Sequence, residues 1–380
     1  MPDQSLIYLD HNATTPVFPE VVEVMARVQR DAWANPGSRH QVGRRARQVL
    51  EESRERVAAL LGAKPKEVVF TSGGTEANNL ALRGLAGGSR RRVARLPGEH
   101  PSIHEPIERL LSEGWELEPL PLTDQGAIDS PAAERLAWDR IGLAAVVLAH
   151  SETGVIRDVE VLRRLCGDHR VAWHVDAVQA VGKLDVHFRA IGATTLSVAA
   201  HKFGGPRGIG ALLVADGARL TPLAAGGLQE WERRPGTEPV ALIAGMTEAL
   251  SICRRDRERR AAELLRLRSR LEAGLRERCQ PMVLHGAEVE RLPNTVNAAF
   301  PGCDGDALLV ALDLAGVCAS LGTACASGST EPAPILVAMG CPPEVQRSSV
   351  RFSLGWTTQE AEIETAIERI AATVASLRSL

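Results

Sequence analysis

The stretch TTLSVAAHKFGGPRGIG, residues 194–210, combines an apolar run, a lysine and a glycine-rich turn. Residues 194–200 predict a short buried strand that ends just before Lys202. Gly204 and Gly205 let the backbone turn sharply, so we expect Lys202 to lie at the strand end and to face a cleft. A lysine that is held rigidly and partly desolvated can act as a nucleophile, as Schiff-base enzymes require. The alternative interpretation is an ordinary cationic loop residue.

Two stretches upstream carry residue types that suit the same chemistry. The stretch HVDAVQ, residues 174–179, continues an apolar run, so Asp176 is predicted at another strand end. An aspartate there can pair with a protonated pyridine nitrogen and keep the ring an electron sink. The stretch FTSGGTEANN, residues 70–79, predicts a strand, a glycine turn and a helix start, which together offer backbone N–H groups to an anion. The order phosphate loop, aspartate and lysine indicates pyridoxal phosphate.

Six stretches together resemble a known family. They are YLDHNATTP (8–16), NPGSRH (35–40), FTSGGTEANN (70–79), HVDAVQ (174–179), HKFGGPRGIG (201–210) and GTACASG (322–328). Through them the chain is similar, over residues 8–355, to the cysteine desulfurases, which are class V aminotransferase-like pyridoxal phosphate enzymes of fold type I. The resemblance implies an α/β fold: a large cofactor-binding domain, residues 15–255, with a mainly parallel seven-stranded sheet, and a smaller α+β domain, residues 1–14 and 256–380, that carries the catalytic cysteine loop.

Strands and helices alternate from residue 67 onward, and this alternation independently predicts a mostly parallel sheet covered by helices on both faces. Ligands bind such sheets at the carboxyl ends of the strands, so Gly74, Asp176 and Lys202 are expected on one rim. The predicted strands are residues 68–71, 92–95, 144–149, 171–175, 196–199 and 210–214.

The composition limits the class of protein. The chain has 380 residues, of which 44% are hydrophobic, enough for two domains with their own cores. A net charge of −3 gives no basic excess for nucleic acid, and no apolar run is long enough to cross a membrane. The first residues lack the pattern of a secretory signal. Seven scattered cysteines without a CxxC pair argue against a zinc site and a disulfide framework, so we predict a cytoplasmic protein without a metal.

The resemblance implies specific contacts with pyridoxal phosphate. Gly74 and Thr75 match residues that hold the phosphate, and Thr237 matches a threonine that reaches it from the neighbouring subunit, which implies a homodimer. Gln179 matches the residue that hydrogen-bonds the phenolic oxygen. The complete predicted set is Gly74, Thr75, His100, Asp176, Gln179, His201, Lys202 and Thr237.

Three residues are predicted to be catalytic: Lys202, His100 and Cys325. His100, in GEHPS, matches the histidine that stacks on the pyridine ring and can act as an acid or a base; the alternative is a polar loop histidine. Cys325 lies in GTACASG, where flanking glycines allow a mobile loop and small neighbours leave the sulfur accessible.

Two residues are predicted to bind the substrate. Arg351, in SSVRFSLG, matches the arginine that clamps the substrate carboxylate, a task suited to a planar two-pronged donor. The alternative for Arg351 is a buried ion pair. The resemblance also places Asn35 near this carboxylate, and the alternative for Asn35 is a helix cap and turn.

These matches imply that the enzyme converts L-cysteine to L-alanine. Lys202 would move the α-proton, and Cys325, as thiolate, would attack the substrate sulfur. The resulting persulfide would pass to a sulfur-acceptor protein, for iron–sulfur cluster assembly or thio-modification. Two alternatives stay open: a class V aminotransferase or selenocysteine lyase, and a degenerate homologue without turnover.

Two positions depart from the family pattern. Ser151 stands where an asparagine usually contacts the phenolic oxygen of the cofactor, and Ala199 replaces a serine whose hydroxyl binds the phosphate. A hydrogen bond to a charged group is worth roughly 1.5–3 kcal/mol. We therefore predict weaker cofactor retention than in a typical family member.

Overall fold

The computed structural model describes residues 6–322 and 332–379. Its strands within these ranges are β1 (Ile7–Tyr8), β2 (Val68–Thr71), β3 (Arg92–Arg95), β4 (Glu116–Pro119), β5 (Leu143–Val147), β6 (Ala172–Asp176), β7 (Thr195–Ala199), β8 (Gly210–Val214), β9 (Val283–Leu284), β10 (Thr295–Ala299), β11 (Val317–Cys318) and β12 (Ser349–Ser353). Its α-helices there are α1 (Pro19–Asp31), α2 (Gln41–Leu61), α3 (Gly74–Leu85), α4 (Pro101–Ser112), α5 (Ser130–Ala133), α6 (Glu160–His169), α7 (Phe188–Ile191), α8 (Val240–Arg278), α9 (Gly305–Leu314), α10 (Pro334–Ala338), α11 (Pro343–Arg347) and α12 (Glu360–Arg378).

The central sheet has seven strands in the order β2-β8-β7-β6-β5-β3-β4, which confirms the predicted α/β fold. β8 runs antiparallel to both of its neighbours, and the remaining pairs are parallel. The six strands predicted from the sequence are present. The prediction did not include β4, whose sequence ELEP is polar and whose residues are only partly buried or exposed, as an edge strand allows.

The inner strands are apolar along their whole length because helices cover both faces of the sheet. Every residue of β5 (LAAVV), β7 (TLSVA) and β8 (GALLV) is buried. Continuous apolar runs of this kind are typical of strands in a covered parallel sheet. They anchor one large hydrophobic core, so the loops at the strand ends are held on a rigid base.

A second hydrophobic core forms around the antiparallel sheet β12-β10-β9, which α9 and α12 help to cover. β1 pairs in parallel with β11, and Ile7 and Leu9 are buried in this second core. The N-terminal segment thus packs with C-terminal elements. The domain boundaries themselves, 1–14 with 256–380 against 15–255, stay a prediction.

The 39-residue helix α8 connects the two cores. Ile243 and Leu250 belong to the first core, and Leu267 and Leu275 belong to the second. The sequence predicted this helix from residue 247, whereas it begins at Val240, directly after Pro239. None of the described helices is long and apolar enough to span a bilayer.

One arginine of α2 is buried. Arg44, Arg45, Arg47 and Arg56 lie on the exposed side of this helix, but Arg54 is 3% exposed. Its guanidinium pairs with Glu230 at 2.8 Å and lies over the rings of Phe70 and Trp231. A carboxylate 176 residues away in the chain makes this burial possible, and helical periodicity carries no signal for such a partner.

Candidate active site

Lys202 lies just beyond β7, in the single helical turn Ala200–Lys202. Its Nζ donates to the backbone carbonyls of Asn12 at 2.6 Å and Ala13 at 2.8 Å. Gly204 follows with a φ of +80°, and a Cβ there would lie 2.4 Å from the ring of Phe18. The turn therefore requires glycine, and it holds the lysine beside the N-terminal segment.

Asp176 ends the neighbouring strand β6 and is 4% exposed. Its Oδ1 accepts the N–H of Val178 at 2.9 Å, and its Oδ2 accepts a hydrogen bond from Asn78 at 2.7 Å. Each carboxylate oxygen thus has a donor that fixes its orientation.

His100 caps the N-terminus of α4 and faces the same rim. Its Nδ1 accepts the N–H of Ser102 at 3.1 Å and lies 2.7 Å from Ser102 Oγ. Burial lowers the pKa of His100; the Asp176 carboxylate opposes this change, and the positive charge of Lys202 adds to it. The three predicted residues at the strand ends therefore lie close enough to act on one another electrostatically.

The predicted phosphate loop has the geometry of an anion site. Helix α3 begins at Gly74, and none of the described side chains caps it, so backbone N–H groups of its first turn, which includes Thr75, remain available. A Cβ on Gly74 would lie 2.8 Å from Val178 Cγ2 and 3.5 Å from the Cβ of Ala199. Ala199, where the family's serine is missing, therefore borders this loop. These residues fit the phosphate of the cofactor.

Gln179 is held by two neighbours on the same rim. Its Nε2 donates to the carbonyl of Asn12 at 2.9 Å, and its Oε1 accepts from Lys183 Nζ at 3.0 Å. Burial, with the charge of Lys202 as the next cause, lowers the pKa of Lys183 to about 7. His201 lies beside Lys202 in the same turn, and burial lowers its pKa to about 4. Sequence reasoning gave Lys183 no role, although it follows HVDAVQ closely.

Arg351 lies in β12 and is 3% exposed. Its Nη1 contacts Glu152 Oε1 at 2.6 Å, and its Nη2 contacts Asp10 Oδ1 at 2.7 Å. Burial raises the pKa of Glu152, and the charge of Arg351 acts against this increase. The buried ion pair that the sequence offered as an alternative is thus present, and the role of Arg351 as substrate clamp stays a prediction.

The prediction for Cys325 lies outside the described residues. The last described residue before it, Gly322, has a φ of +79°, and a Cβ there would lie 2.5 Å from Glu152 Oε2. Gly322 therefore lies directly beside the acidic partner of Arg351.

Asn35 and Thr237 lie together at a different place, a groove of about 860 Å³ between α1 and the start of α8. The Asn35 side chain accepts the N–H of Gly37 at 2.8 Å, as expected of the turn alternative. Lys202 and Asp176 are not among the residues that line this groove. The described part of one chain thus separates these two residues from the rim.

The sequence did not identify a buried ion pair that lies next to His100 in the chain. Glu99 forms an ion pair with Arg157, and both side chains have no solvent exposure. Glu99 also accepts the N–H of Val147 at 2.8 Å, and burial raises its pKa to about 7. The position of Glu99 directly before His100 could have drawn attention to it in the sequence, whereas no local sequence pattern identified Arg157. Residues 6–322 and 332–379 contain no cluster of side chains that could bind a metal.

Known proteins resemble the chain over nearly its whole length. A family model described as Aminotransferase class-V matches residues 7–365. An "IscS-like cysteine desulfurase" from Mycobacterium tuberculosis is 40% identical over 383 residues, which cover 98% of this chain and 97% of that protein. "Cysteine desulfurase NifS" from Azotobacter vinelandii is 37% identical over 377 residues, which cover 98% of this chain and 94% of that protein.

Solved structures agree with this assignment. A NifS-like protein from Rickettsia africae superposes with a TM-score of 0.88 at 30% identity and covers 97% of this chain and 99% of its own. A structure titled "SspA in complex with cysteine" gives a TM-score of 0.80 at 29% identity, with 91% and 98% covered. Pyridoxal phosphate is therefore the cofactor, and the chain belongs to the aminotransferase class-V family, among the cysteine desulfurases.

Proposed function

We propose that this protein converts L-cysteine to L-alanine and transfers the sulfur to Cys325 as a persulfide. The observation that carries the proposal is the convergence of Lys202, Asp176 and His100 on one rim beside an uncapped helix N-terminus. The relatives are named cysteine desulfurases, and one similar structure is titled as a complex with cysteine. Pyridoxal phosphate, when bound, supplies an electron sink for charge at the α-carbon of an amino acid.

Each rim residue has a task in this reaction. Lys202 leaves the carbonyls of Asn12 and Ala13 and moves the α-proton with its amine. Asp176 would hold a proton at the ring nitrogen, and its two hydrogen-bond donors keep its carboxylate oriented. His100 is neutral at neutral pH because burial lowers its pKa, so it can exchange a proton with a bound group.

Arg351 binds the substrate carboxylate in this proposal. Because its two terminal nitrogens already contact Glu152 and Asp10, the substrate carboxylate has to replace one of these partners. Exchange of one carboxylate for another keeps the guanidinium paired, so the buried charge is never left alone.

Cys325 acts on the substrate sulfur. Its thiolate attacks that atom, a sulfur–sulfur bond forms, the carbon–sulfur bond of the substrate breaks, and the carbon takes up a proton to give alanine. Gly322, three residues before Cys325 in the sequence, lies beside Glu152, and this proximity supports the step. The persulfide then passes to an acceptor protein, in iron–sulfur cluster assembly or thio-modification in the cytoplasm.

A second copy of the chain completes the site in this proposal. The groove that contains Asn35 and Thr237 also exposes apolar side chains, with Trp33 at 69% and Val22 at 51% exposure. Exposed apolar grooves of this kind mark interaction surfaces. A homodimer that covers the groove would bring Thr237 to the phosphate loop of its partner, as the family resemblance implies.

Product analysis with L-cysteine, pyridoxal phosphate and a reducing thiol tests the activity. We expect equal amounts of alanine and sulfide, lost in Lys202→Ala and in Cys325→Ala, with the cofactor spectrum retained in the cysteine variant. A keto acid product, or activity that survives Cys325→Ala, would move the protein to the class V aminotransferase or selenocysteine lyase alternative. A protein that does not bind the cofactor would instead fit the remaining alternative, a degenerate homologue without turnover.

A further inference from the structure

A continuous chain of buried hydrogen bonds joins Asp176 to His100. Asn78, which is 0% exposed, donates from Nδ2 to Asp176 Oδ2 at 2.7 Å and to Ser102 Oγ at 2.7 Å. Ser102 Oγ lies in turn 2.7 Å from His100 Nδ1. One side-chain amide therefore links the residue expected at the ring nitrogen of the cofactor to the residue expected over the ring.

The orientation of this amide is determined by its surroundings. A carboxylate only accepts hydrogen bonds, so Asn78 has to turn its NH₂ group toward Asp176 and its Oδ1 toward His174 Nε2, which lies 2.9 Å away. Because Oδ1 also only accepts, His174 carries its proton on Nε2 and accepts at Nδ1 from Thr195 Oγ1 at 2.9 Å. Burial lowers the pKa of His174 to about 3, so this ring stays neutral.

The same reasoning determines the tautomer of His100. The backbone N–H of Ser102 points at Nδ1 from 3.1 Å, which makes Nδ1 an acceptor. Ser102 Oγ receives a hydrogen bond from Asn78 and gives its own proton to Nδ1. The neutral His100 ring therefore carries its proton on Nε2.

We propose that Asn78 is a positioning residue for the reaction, which orients the Asp176 carboxylate directly and fixes the Nε2–H tautomer of His100 through Ser102. It donates one hydrogen bond to that carboxylate, and the backbone N–H of Val178 donates another. Loss of the amide thus removes a donor that orients Asp176 and releases the Ser102 hydroxyl at the same time. This inference rests on the proposed function, because the reaction that Asn78 would affect is the conversion of L-cysteine to L-alanine.

Three single variants of the holoenzyme test this role. Asn78→Ala removes both links, and Ser102→Ala removes only the link to His100. Asn79→Ala is the matched control, since Asn79 is the adjacent asparagine of the same helix and donates to the carbonyl of Thr75 at 2.9 Å. Circular dichroism and thermal unfolding establish that each variant folds.

The first readout is the pH at which the visible absorbance of the bound cofactor changes. We expect an upward shift of about one unit in Asn78→Ala, because a ring nitrogen that is less firmly protonated makes the lysine-linked nitrogen more basic. Ser102→Ala and Asn79→Ala should keep the wild-type midpoint. In turnover of L-cysteine, Asn78→Ala should lower kcat about tenfold to a hundredfold and change KM by less than about twofold.

The second readout is the ¹⁵N spectrum of the histidine rings, with His100 assigned by comparison with His100→Gln. We expect a protonated Nε2 and an unprotonated Nδ1 in the wild type, and a displaced Nδ1 resonance in both Ser102→Ala and Asn78→Ala. A proton on Nδ1 of the wild-type ring would overturn the inference even if Asn78→Ala did not fold. An absorbance midpoint of Asn78→Ala equal to that of Asn79→Ala would overturn it as well.

Both spectroscopic readouts are independent of turnover. Shifts as expected in a protein that forms no alanine would reject the proposed function and leave the role of Asn78 intact. Unchanged spectra in a protein that forms alanine would reject the role of Asn78 alone.

Discussion

The cofactor rim and the Arg351 cluster are both buried and polar, yet they are built in opposite ways. On the rim, neutral donors, the Asn78 amide and the backbone N–H of Val178, orient a single carboxylate by directed hydrogen bonds. Around Arg351, one cation contacts two carboxylates, Glu152 and Asp10. The rim is therefore ordered by geometry before any ligand binds, whereas the cluster is held together by ion pairs.

The difference indicates how each region receives its ligand. The rim concentrates positive charge, since the ammonium groups of Lys183 and Lys202 are held by carbonyl and amide oxygens. An anionic cofactor meets complementary charge there. The Arg351 cluster has a net charge of −1 by formal count of its two acids and one base. A substrate carboxylate has to displace a resident partner, so this region contributes selectivity for an anion that can form a bidentate pair.

The largest effect on stability should come from the Arg351 cluster. Arg351→Leu leaves the buried Glu152 and the partly buried Asp10 without their cation, and loss of one partner of a buried ion pair costs about 3–5 kcal/mol. Denaturant unfolding measures this free energy. Arg266→Leu is the control, because Arg266 also pairs with two carboxylates, Glu263 and Glu360, but at the exposed surface. Equal losses of unfolding free energy in the two variants would show that the ion pairs of Arg351 contribute no more to stability than exposed pairs do.

On the rim, Asp176→Asn should preserve the fold and damage the chemistry. The amide has nearly the same shape but cannot hold a proton at the ring nitrogen, and loss of such electrostatic stabilisation lowers kcat by about 10²–10³-fold. Steady-state kinetics with L-cysteine, together with the absorbance of the bound cofactor, measure the effect. Near-normal kcat in this variant would mean that the geometry of the rim matters more than its charge.

Ala199→Ser should strengthen cofactor binding at the rim. The Cβ of Ala199 borders the phosphate loop, so a hydroxyl there can add one hydrogen bond to the cofactor phosphate. We expect cofactor binding about tenfold tighter, measured as the dissociation constant by fluorescence titration. Val198→Thr, in the adjacent buried position of β7, controls for a hydroxyl placed elsewhere. No gain in Ala199→Ser would remove the basis for the predicted weak retention.

A pH-dependent effect comes from Lys183, whose amine contacts the backbone and side-chain oxygens of Gln179. Its pKa falls to about 7 in the folded protein from an ordinary value of 10.5, so the unfolded chain binds more protons between these two values. Stability from this group therefore increases as the pH rises from about 7 to 10.5, by at most ~1.4 kcal/mol per pH unit. Lys183→Met should lose this slope, and unfolding at several pH values measures it. A slope identical to wild type would mean that Lys183 keeps its ordinary pKa.

Much of the fold and part of the site could be predicted because their signals are local. Apolar runs identified β5, β7 and β8, and strand ends located Asp176 and Lys202. β4 was not predicted, because it is a polar edge strand without an apolar run.

The remainder depends on partners that are distant in sequence. Asn78 stood within FTSGGTEANN, but its role comes from residues 102, 174 and 176, which only the folded sheet brings together. The carboxylate that buries Arg54 lies at residue 230, and the partners of Arg351 lie at residues 10 and 152. No periodicity encodes such pairs.

Helix α8 has a mechanical consequence for the two regions. At about 1.5 Å per residue its 39 residues form a beam roughly 58 Å long. Its fully buried positions end at Cys253 and resume at Leu267, and the span between them crosses from one core to the other. Bending there disturbs only the partly buried packing of Leu264 and the contact of Arg260 with the Phe18 ring, whereas bending on either side disturbs fully buried side chains. That span is the natural flexure point, and a small angular change at it becomes a displacement of Arg351 relative to Lys202.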